Sequence, residues 1–243
     1  MPIISVHEVA QSFGPRVIFE HVTFDIEPGE VFVVLGGSGC GKSTLLKQMM
    51  GLLPPSSGDI TVAGHSVCTE TEAVRRQIGV MFQSGALFGS MNLLDNITLP
   101  LAVFTDLPTA ARIEIARIKL ALVGLADAAL RLPAEISGGM IKRAAIARAL
   151  ALDPPILMLD EPSAGLDPVT SAGLDKLILD LRDSVGATFV VVTHELASIL
   201  AIADRCVMLD AKAKGMIALG KPKELQAHST VPMVRAFFHR ETL

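Results

Sequence analysis

The chain has 243 residues, half of them apolar and only 19% charged, with a formal net charge of −4 and a mean hydropathy of +0.50. It is too apolar and too varied to be disordered or low-complexity, and no apolar run reaches the roughly 18 residues that a membrane span needs. The acidic balance lacks the basic signature of a nucleic-acid binder, and three scattered cysteines (Cys40, Cys68, Cys206) make neither a disulfide framework nor a zinc site and fit a reducing compartment.

The first residues carry no charged n-region and no long apolar h-region, so no secretory signal is expected. Short β-rich runs come first, Ile3–Val6, Val17–Phe19 and Val22–Ile26, closed by the turn Pro28-Gly29. Val31–Leu35 is a continuous apolar run rich in β-branched residues, as in a strand buried on both faces. A glycine loop over 36–41 then leads into a helix reaching about Met50. Asp59–Val62 and Ile78–Phe82 read as further strands.

From about Ser84 to Leu150 helical periodicity dominates, with breaks expected at Pro100, Pro108, Gly124 and Pro133. In Ala110–Val123, Arg112, Glu114, Arg117 and Lys119 mark the wetter side. Alternation of strand and helix resumes with Ile156–Leu159, Val169–Ser184, Thr188–Val192, Glu195–Ile202 and Arg205–Leu209, and Met216–Leu219 adds a possible last strand. Two βα blocks around a helical block predict a mainly parallel sheet with an inserted helical subdomain. The expected division is an α/β core over 1–83 and 151–220, a helical subdomain over 84–150 and a tail over 221–243.

Gly36-Gly37-Ser38-Gly39-Cys40-Gly41-Lys42-Ser43 fits G-x-x-x-x-G-K-[ST] between a buried strand and a helix, the context that gives this pattern meaning. Its glycines let backbone N–H groups turn inward to cradle phosphate, and the helix N-terminus, continuing through Thr44, adds the positive end of its dipole. Lys42 suits the β- and γ-phosphates, and Ser43 offers a hydroxyl to Mg²⁺. Cys40 has two readings: a thiol activated by the helix N-terminus, or an unconstrained position that happens to be cysteine. Ile156–Leu159 runs into Asp160 and Glu161 at a strand's carboxyl end, where open α/β sheets bind ligands. Asp160 suits a metal held through water, and Glu161 suits a general base for attacking water. These features describe a P-loop NTPase core using ATP and Mg²⁺.

Ile136-Ser137-Gly138-Gly139-Met140, followed by a helix with Lys142-Arg143 and Ile146-Ala147-Arg148, resembles the signature of ABC-transporter ATPases. The resemblance covers about residues 3–220 and implies a RecA-like core with an N-terminal antiparallel β region. It also implies roles. Ser137, Gly138 and Gly139 would close over the γ-phosphate held by a second copy, Gln83 would sense Mg²⁺ and the γ-phosphate, and Asp167 in Ser163–Asp167 would communicate across the dimer. His194 would act as the switch histidine. Phe13 would stack on adenine, which needs only a ring face; the alternative is a core phenylalanine. The chain has no Tyr and no Trp, so no tyrosine can take that place.

Met140 stands where the family usually has glutamine. With Phe82–Phe88 and Met91–Asn96 it resembles the Mla/Mkl-type ATPases, which serve lipid transporters together with MCE-domain proteins. That likeness implies a head-to-tail dimer on the cytoplasmic face of the inner membrane, an MlaE-like permease and an MCE-domain substrate-binding protein as partners, and no nucleic acid. A soluble ABC ATPase acting on nucleic acid, and a transporter of another cargo, are the competing readings. Ala86, Leu87, Phe88 and Met91 either line a groove for a partner helix or pack the subdomain's own core. Phe237-Phe238 anchors the tail either on its own domain or on a second protomer.

Overall fold

A computed structural model describes residues 1–241. In chain order the elements are β1 (Ile4–Phe13), β2 (Arg16–Ile26), β3 (Val31–Gly36), α1 (Lys42–Met49), β4 (Ser57–Val62), β5 (His65–Ser66), α2 (Thr71–Arg76) and β6 (Ile78–Met81). Then come α3 (Leu93–Phe104), α4 (Thr109–Leu122), α5 (Gly138–Ala149), β7 (Ile156–Asp160), α6 (Pro168–Val185), β8 (Thr188–Val192) and α7 (Leu196–Ile202). The last are β9 (Arg205–Asp210), β10 (Gly215–Gly220), α8 (Pro222–His228) and α9 (Pro232–His239). Short 3-10 turns at Ala126–Ala128 and Pro133–Glu135 join α4 to α5.

Two sheets stack. One is antiparallel, in the order β2-β1-β4-β5; the other runs β10-β9-β3-β8-β7-β6 and is parallel except for β10 at its edge. Val31–Leu35 of β3, Ile156–Leu159 of β7 and Phe189–Val192 of β8 are unbroken apolar runs because both faces are covered. Phe32, Val34, Met158, Val190 and Val192 pack toward the antiparallel sheet and α1. Val31, Val33, Leu35, Leu157, Leu159, Phe189 and Val191 pack toward the helices.

β1 and β2 are far longer than the short runs visible in the sequence. Their pairing carries register shifts between Val6 and Ser12, and Glu8 and His21 adopt left-handed backbone. Such bulges interrupt the alternation that marks a strand. Strand β6 stops at Met81, leaving Phe82 exposed.

Two expectations in the helical block are corrected. Pro100 lies inside α3 rather than ending it. The helix loses one backbone bond there, but Leu93, Ile97 and Leu101 on either side are buried and hold it together. Lys119 is not on a wet face. It is 6% exposed and forms an ion pair with Asp153 in the turn after α5, so an ammonium among apolar neighbours ties α4 to the start of β7. The expected breaks at Pro108, Gly124 and Pro133 do fall between elements.

The two C-terminal helices fold back on their own chain. Val234 and Phe238 join the core beside Ile199 and Ile202, and the rings of Phe237 and Phe238 meet edge-on at 5.4 Å. The tail's anchor is thus its own domain, while residues 242–243 lie outside the described part. Among the described residues no helix is long and apolar enough to cross a membrane.

Candidate nucleotide site

Sheet register assembles the site. Val34 of β3 pairs with Val192 of β8, and Val192 pairs with Asp160 of β7. Three parallel strands therefore reach their carboxyl ends in one row, and the segments beyond those ends face the same crevice. The glycine loop lies beyond β3, Glu161 beyond β7, and His194 beyond β8. One strand further on, Met81 of β6 pairs with Leu159, which brings Gln83 to the same edge.

The glycine loop leaves no room for side chains at its two ends. At Gly36 (φ +146°) a β-carbon would lie 2.7 Å from Cys40 Sγ, and at Gly41 (φ +100°) one would lie 2.6 Å from the Phe19 ring. Gly41 caps α1 in the left-handed region, which favours glycine. Gly37, Ser38 and Gly39 are exposed, so their backbone N–H groups are open to an anion. Helix α1 is held beneath by the buried Gln48, whose amide donates to Gln11 of β1 at 2.7 Å. Lys42 folds back over the loop, donating to the Gly36 and Gly37 carbonyls at 2.9 and 3.1 Å. Ser43 is exposed and Thr44 half-buried on the first turn. Cys40 is buried, and desolvation pushes its thiol above its ordinary pKa. Burial and the raised thiol oppose the activated reading of Cys40, and its Sγ packs against Gly36, so the position is not an unconstrained one either.

The acid pair is electrostatically loaded. Asp160 Oδ1 and Glu161 Oε2 are buried without a hydrogen-bond partner. Burial first, and the neighbouring Glu161 second, raise the Asp160 carboxyl above its usual range. Glu161 Oε1 accepts from His194 Nδ1 at 2.8 Å, with the histidine side chain 64% exposed and the glutamate 12%. Glu161 also has a left-handed backbone (φ +47°), strain of about 1–3 kcal/mol that persists only where surrounding contacts enforce it. Its N–H donates to Val192 O at 2.8 Å, and its carbonyl accepts from Ala164 N at 3.2 Å.

Phe13 is 51% exposed at the tip of the β1–β2 hairpin, and the same hairpin's Phe19 abuts Gly41. Phe13 is thus no core phenylalanine. Ser137 caps α5, its hydroxyl accepting from Met140 N at 3.3 Å. Gly139 packs against Thr170 and Gly138 against Leu166, so the signature turn rests on its own chain's 163–170 segment. Asp167 caps α6 through the N–H groups of Val169 and Thr170 at 3.0 and 3.1 Å, and these bonds, led by Thr170's hydroxyl, lower its carboxyl pKa.

Sequence reading missed three residues that fasten this edge. Lys142 donates to the carbonyls of Gln83 and Glu161. Arg148 donates to the Ala86 and Gly85 carbonyls at 2.7 and 3.1 Å. Asn96, fully buried, accepts from Phe88 N at 2.8 Å and donates to the carbonyls of Phe88, Met91 and Asn92. Basic residues on a helix ordinarily point to water, so only the fold reveals these.

Beyond β6, an apolar groove of about 490 Å³ is lined by Phe82, Ala86, Phe88, Val103, Phe104 and Leu152 among others. Phe88 is 50% and Phe104 67% exposed, whereas Leu87 packs inward against the core. The four groove candidates thus divide: Ala86 and Phe88 line it, Leu87 does not, and Met91 is only half-buried.

A family model described as ABC transporter matches residues 19–164, more than half of the chain. The chain belongs to the ABC transporter family. It is 45% identical over 240 residues to the mkl protein of Mycobacterium tuberculosis, named as a probable ribonucleotide transport ATP-binding protein. It is 39% identical over 239 residues to the intermembrane phospholipid transport system ATP-binding protein MlaF of Escherichia coli K12. Each alignment covers 97% of this chain; it spans 66% of the mkl protein's length and 88% of MlaF's. Among solved structures, cbiO1 of Clostridium perfringens, part of an ABC transporter complex, superposes with a TM-score of 0.85 at 29% identity over 93% of this chain and 91% of that one. A dimeric ATP-binding cassette in a post-hydrolysis state with ADP and Pi gives 0.79 at 29% identity, over 90% and 98%. The mixed α/β fold with its antiparallel sheet is the fold of this family.

Proposed function

We propose that this chain is the ATP-hydrolysing subunit of a transporter that moves phospholipid or another hydrophobic cargo. The observation that carries the reading is the meeting of Lys42, Asp160, Glu161 and His194 at one edge of the parallel sheet. In it, the glycine loop 36–41 with Ser43 and Thr44 cradles the phosphates, and Lys42 leaves its loop carbonyls to neutralise them. Phe13 offers adenine a ring face. Glu161 accepts the proton of the attacking water, and His194, already bonded to that carboxylate, fixes its direction.

Two buried, unpartnered carboxylate oxygens are the fit expected of residues that await a cation and a water. Ser43, Asp160 and Gln83 would hold Mg²⁺, which when bound supplies positive charge against the phosphate oxygens. Among the described residues no three His, Cys, Asp or Glu side chains cluster tightly enough to hold a metal, so such an ion depends on the nucleotide's own oxygens, the usual arrangement for Mg²⁺. Ser137, Gly138 and Gly139, with Asp167 beside them, serve the site of a second copy, so two sites complete each other across a head-to-tail dimer. Dimeric family members support this.

The residues fall into a core of 1–83 and 151–220, a helical subdomain of 84–150 and a tail from 221. A permease of the MlaE kind docks an apolar helix in the groove at Phe82, Phe88 and Phe104, and an MCE-domain protein presents the cargo. The chain then lies peripherally on the cytoplasmic face of the inner membrane, away from nucleic acid. Likeness to MlaF over nearly the whole chain supports the lipid cargo; the name carried by the mkl relatives supports a ribonucleotide instead. Tagging the full chain, purifying it from its own membranes and identifying co-purified subunits and bound small molecules by mass spectrometry decides. A permease with phospholipid supports the proposal, a permease with ribonucleotide replaces the cargo, and recovery without any membrane subunit sinks the transporter reading.

A further inference from the structure

Helix α5 carries two cations that end on backbone rather than on acids or in water. Lys142 is 6% exposed, and its Nζ donates to the Gln83 carbonyl and, at 3.4 Å, to the Glu161 carbonyl. Arg148 donates to the Ala86 carbonyl at 2.7 Å. Glu161 and Ala86 share an unusual property: both are non-glycine residues with left-handed backbone, at φ +47° and +49°. Each basic side chain of this pair therefore grips the carbonyl of a strained residue. Strain of that kind survives only when neighbouring contacts enforce it.

Burying an ammonium is costly, and desolvation accordingly lowers the Lys142 pKa. Methionine or leucine would fill the volume without that penalty. Neither could donate to two carbonyls that belong to different segments, one just past β6 and the other just past β7. We propose that Lys142 is a positioning residue. It holds the backbone of Gln83 and Glu161 in fixed relation to the signature helix, so that movement of α5 is passed to the carboxylate beside His194. The proposal deepens the reading of Glu161 as the base and rests on it. Lys142 itself touches neither nucleotide nor water in this role. Its ammonium also acts on the Asp160 and Glu161 charges, but the hydrogen bonds carry the positioning.

The test is steady-state MgATP hydrolysis by the full chain carrying Lys142→Met, Lys142→Gln or Glu161→Gln, with thermal unfolding measured on each. Lys142→Met is expected to lower kcat about tenfold, equivalent to about 1.4 kcal/mol in the barrier, with KM unchanged within about twofold and thermal stability near wild type. That split is the mark of an interaction that matters in the transition state. Lys142→Gln, whose amide has two N–H donors, is expected to recover most of the rate. Wild-type kcat in Lys142→Met overturns the proposal. So does a loss that tracks thermal stability and is not recovered by glutamine, which makes the lysine merely structural. Should the methionine variant fail to fold, Lys142→Ala, which admits water to the carbonyls, replaces it under the same criteria. The parent reading fails separately, if Glu161→Gln turns over normally.

Discussion

Replacing Glu161 with glutamine isolates one proton. Glu161→Gln keeps the side chain's size, and the amide oxygen can still accept from His194 Nδ1, now 2.8 Å from Oε1. The amide nitrogen replaces Oε2, which has no partner and is buried, so the exchange creates no clash and at most one unpaired donor, a cost of about 1–3 kcal/mol. It also removes the negative charge that, after burial, contributes most to raising the Asp160 carboxyl. Asp160 therefore becomes easier to ionise, and a triphosphate meets less repulsion. A general base contributes about 10²–10⁴-fold, or about 3–5 kcal/mol in the barrier. The expected result is phosphate release reduced by about 100-fold or more, nucleotide affinity equal to or above wild type, and a dimer that persists in MgATP on a sizing column. Turnover within about threefold of wild type, where the base term predicts at least 100-fold, refutes the assignment of Glu161.

Burial and charge lead to three further outcomes. Phe88→Glu leaves folding and nucleotide binding intact, because Phe88 is half exposed, but abolishes stimulation of hydrolysis by the proposed permease; an unfolded variant means the residue is core. Thiol titration of the native chain labels exposed Cys68 and spares buried Cys40 and Cys206, the latter's thiol being pushed up to about 12 by burial; labelling of Cys40 as fast as Cys68 contradicts the burial argument. Asp175, nearly buried in α6, has its carboxyl raised by desolvation above its ordinary value. The folded state then holds its proton more tightly than the unfolded one, so stability falls as pH rises from the unfolded value through the folded one. Asp175→Asn should raise Tm at pH 7–8, where each kcal/mol is worth about 2–4 °C in a chain of this size. That gain should shrink toward pH 4, and a gain independent of pH contradicts the account.

The high mean hydropathy is explained by particular segments. Val31–Leu35, Ile156–Leu159 and Phe189–Val192 are apolar at consecutive positions because sheet and helices cover both faces, and continuous runs of that kind are easy to recognise. The glycine loop was legible because close approach and left-handed backbone demand glycine at Gly36 and Gly41. Of the hairpin β1–β2 only the runs Ile3–Val6, Val17–Phe19 and Val22–Ile26 were legible and not its full length, since its bulges at Glu8 and His21 break the alternation. Nor were Lys119, Lys142 and Arg148. Their partners are a distant carboxylate or main-chain carbonyls, and no residue type marks a carbonyl in advance. Phe82, Phe88 and Phe104 had apolar identity but no visible side, because exposure depends on which helix faces them.

In the proposed function each site is built from two copies, the glycine loop of one and the signature turn of the other. Lys42→Ala disables the first element and Ser137→Arg the second, and each variant alone should hydrolyse almost no ATP. Mixed dimers bring an intact loop and an intact signature together at one site of two. Equal mixing of the purified variants should therefore restore about a quarter of the wild-type rate in a two-fold symmetric dimer. A mixture no more active than the sum of its separate components contradicts the shared site.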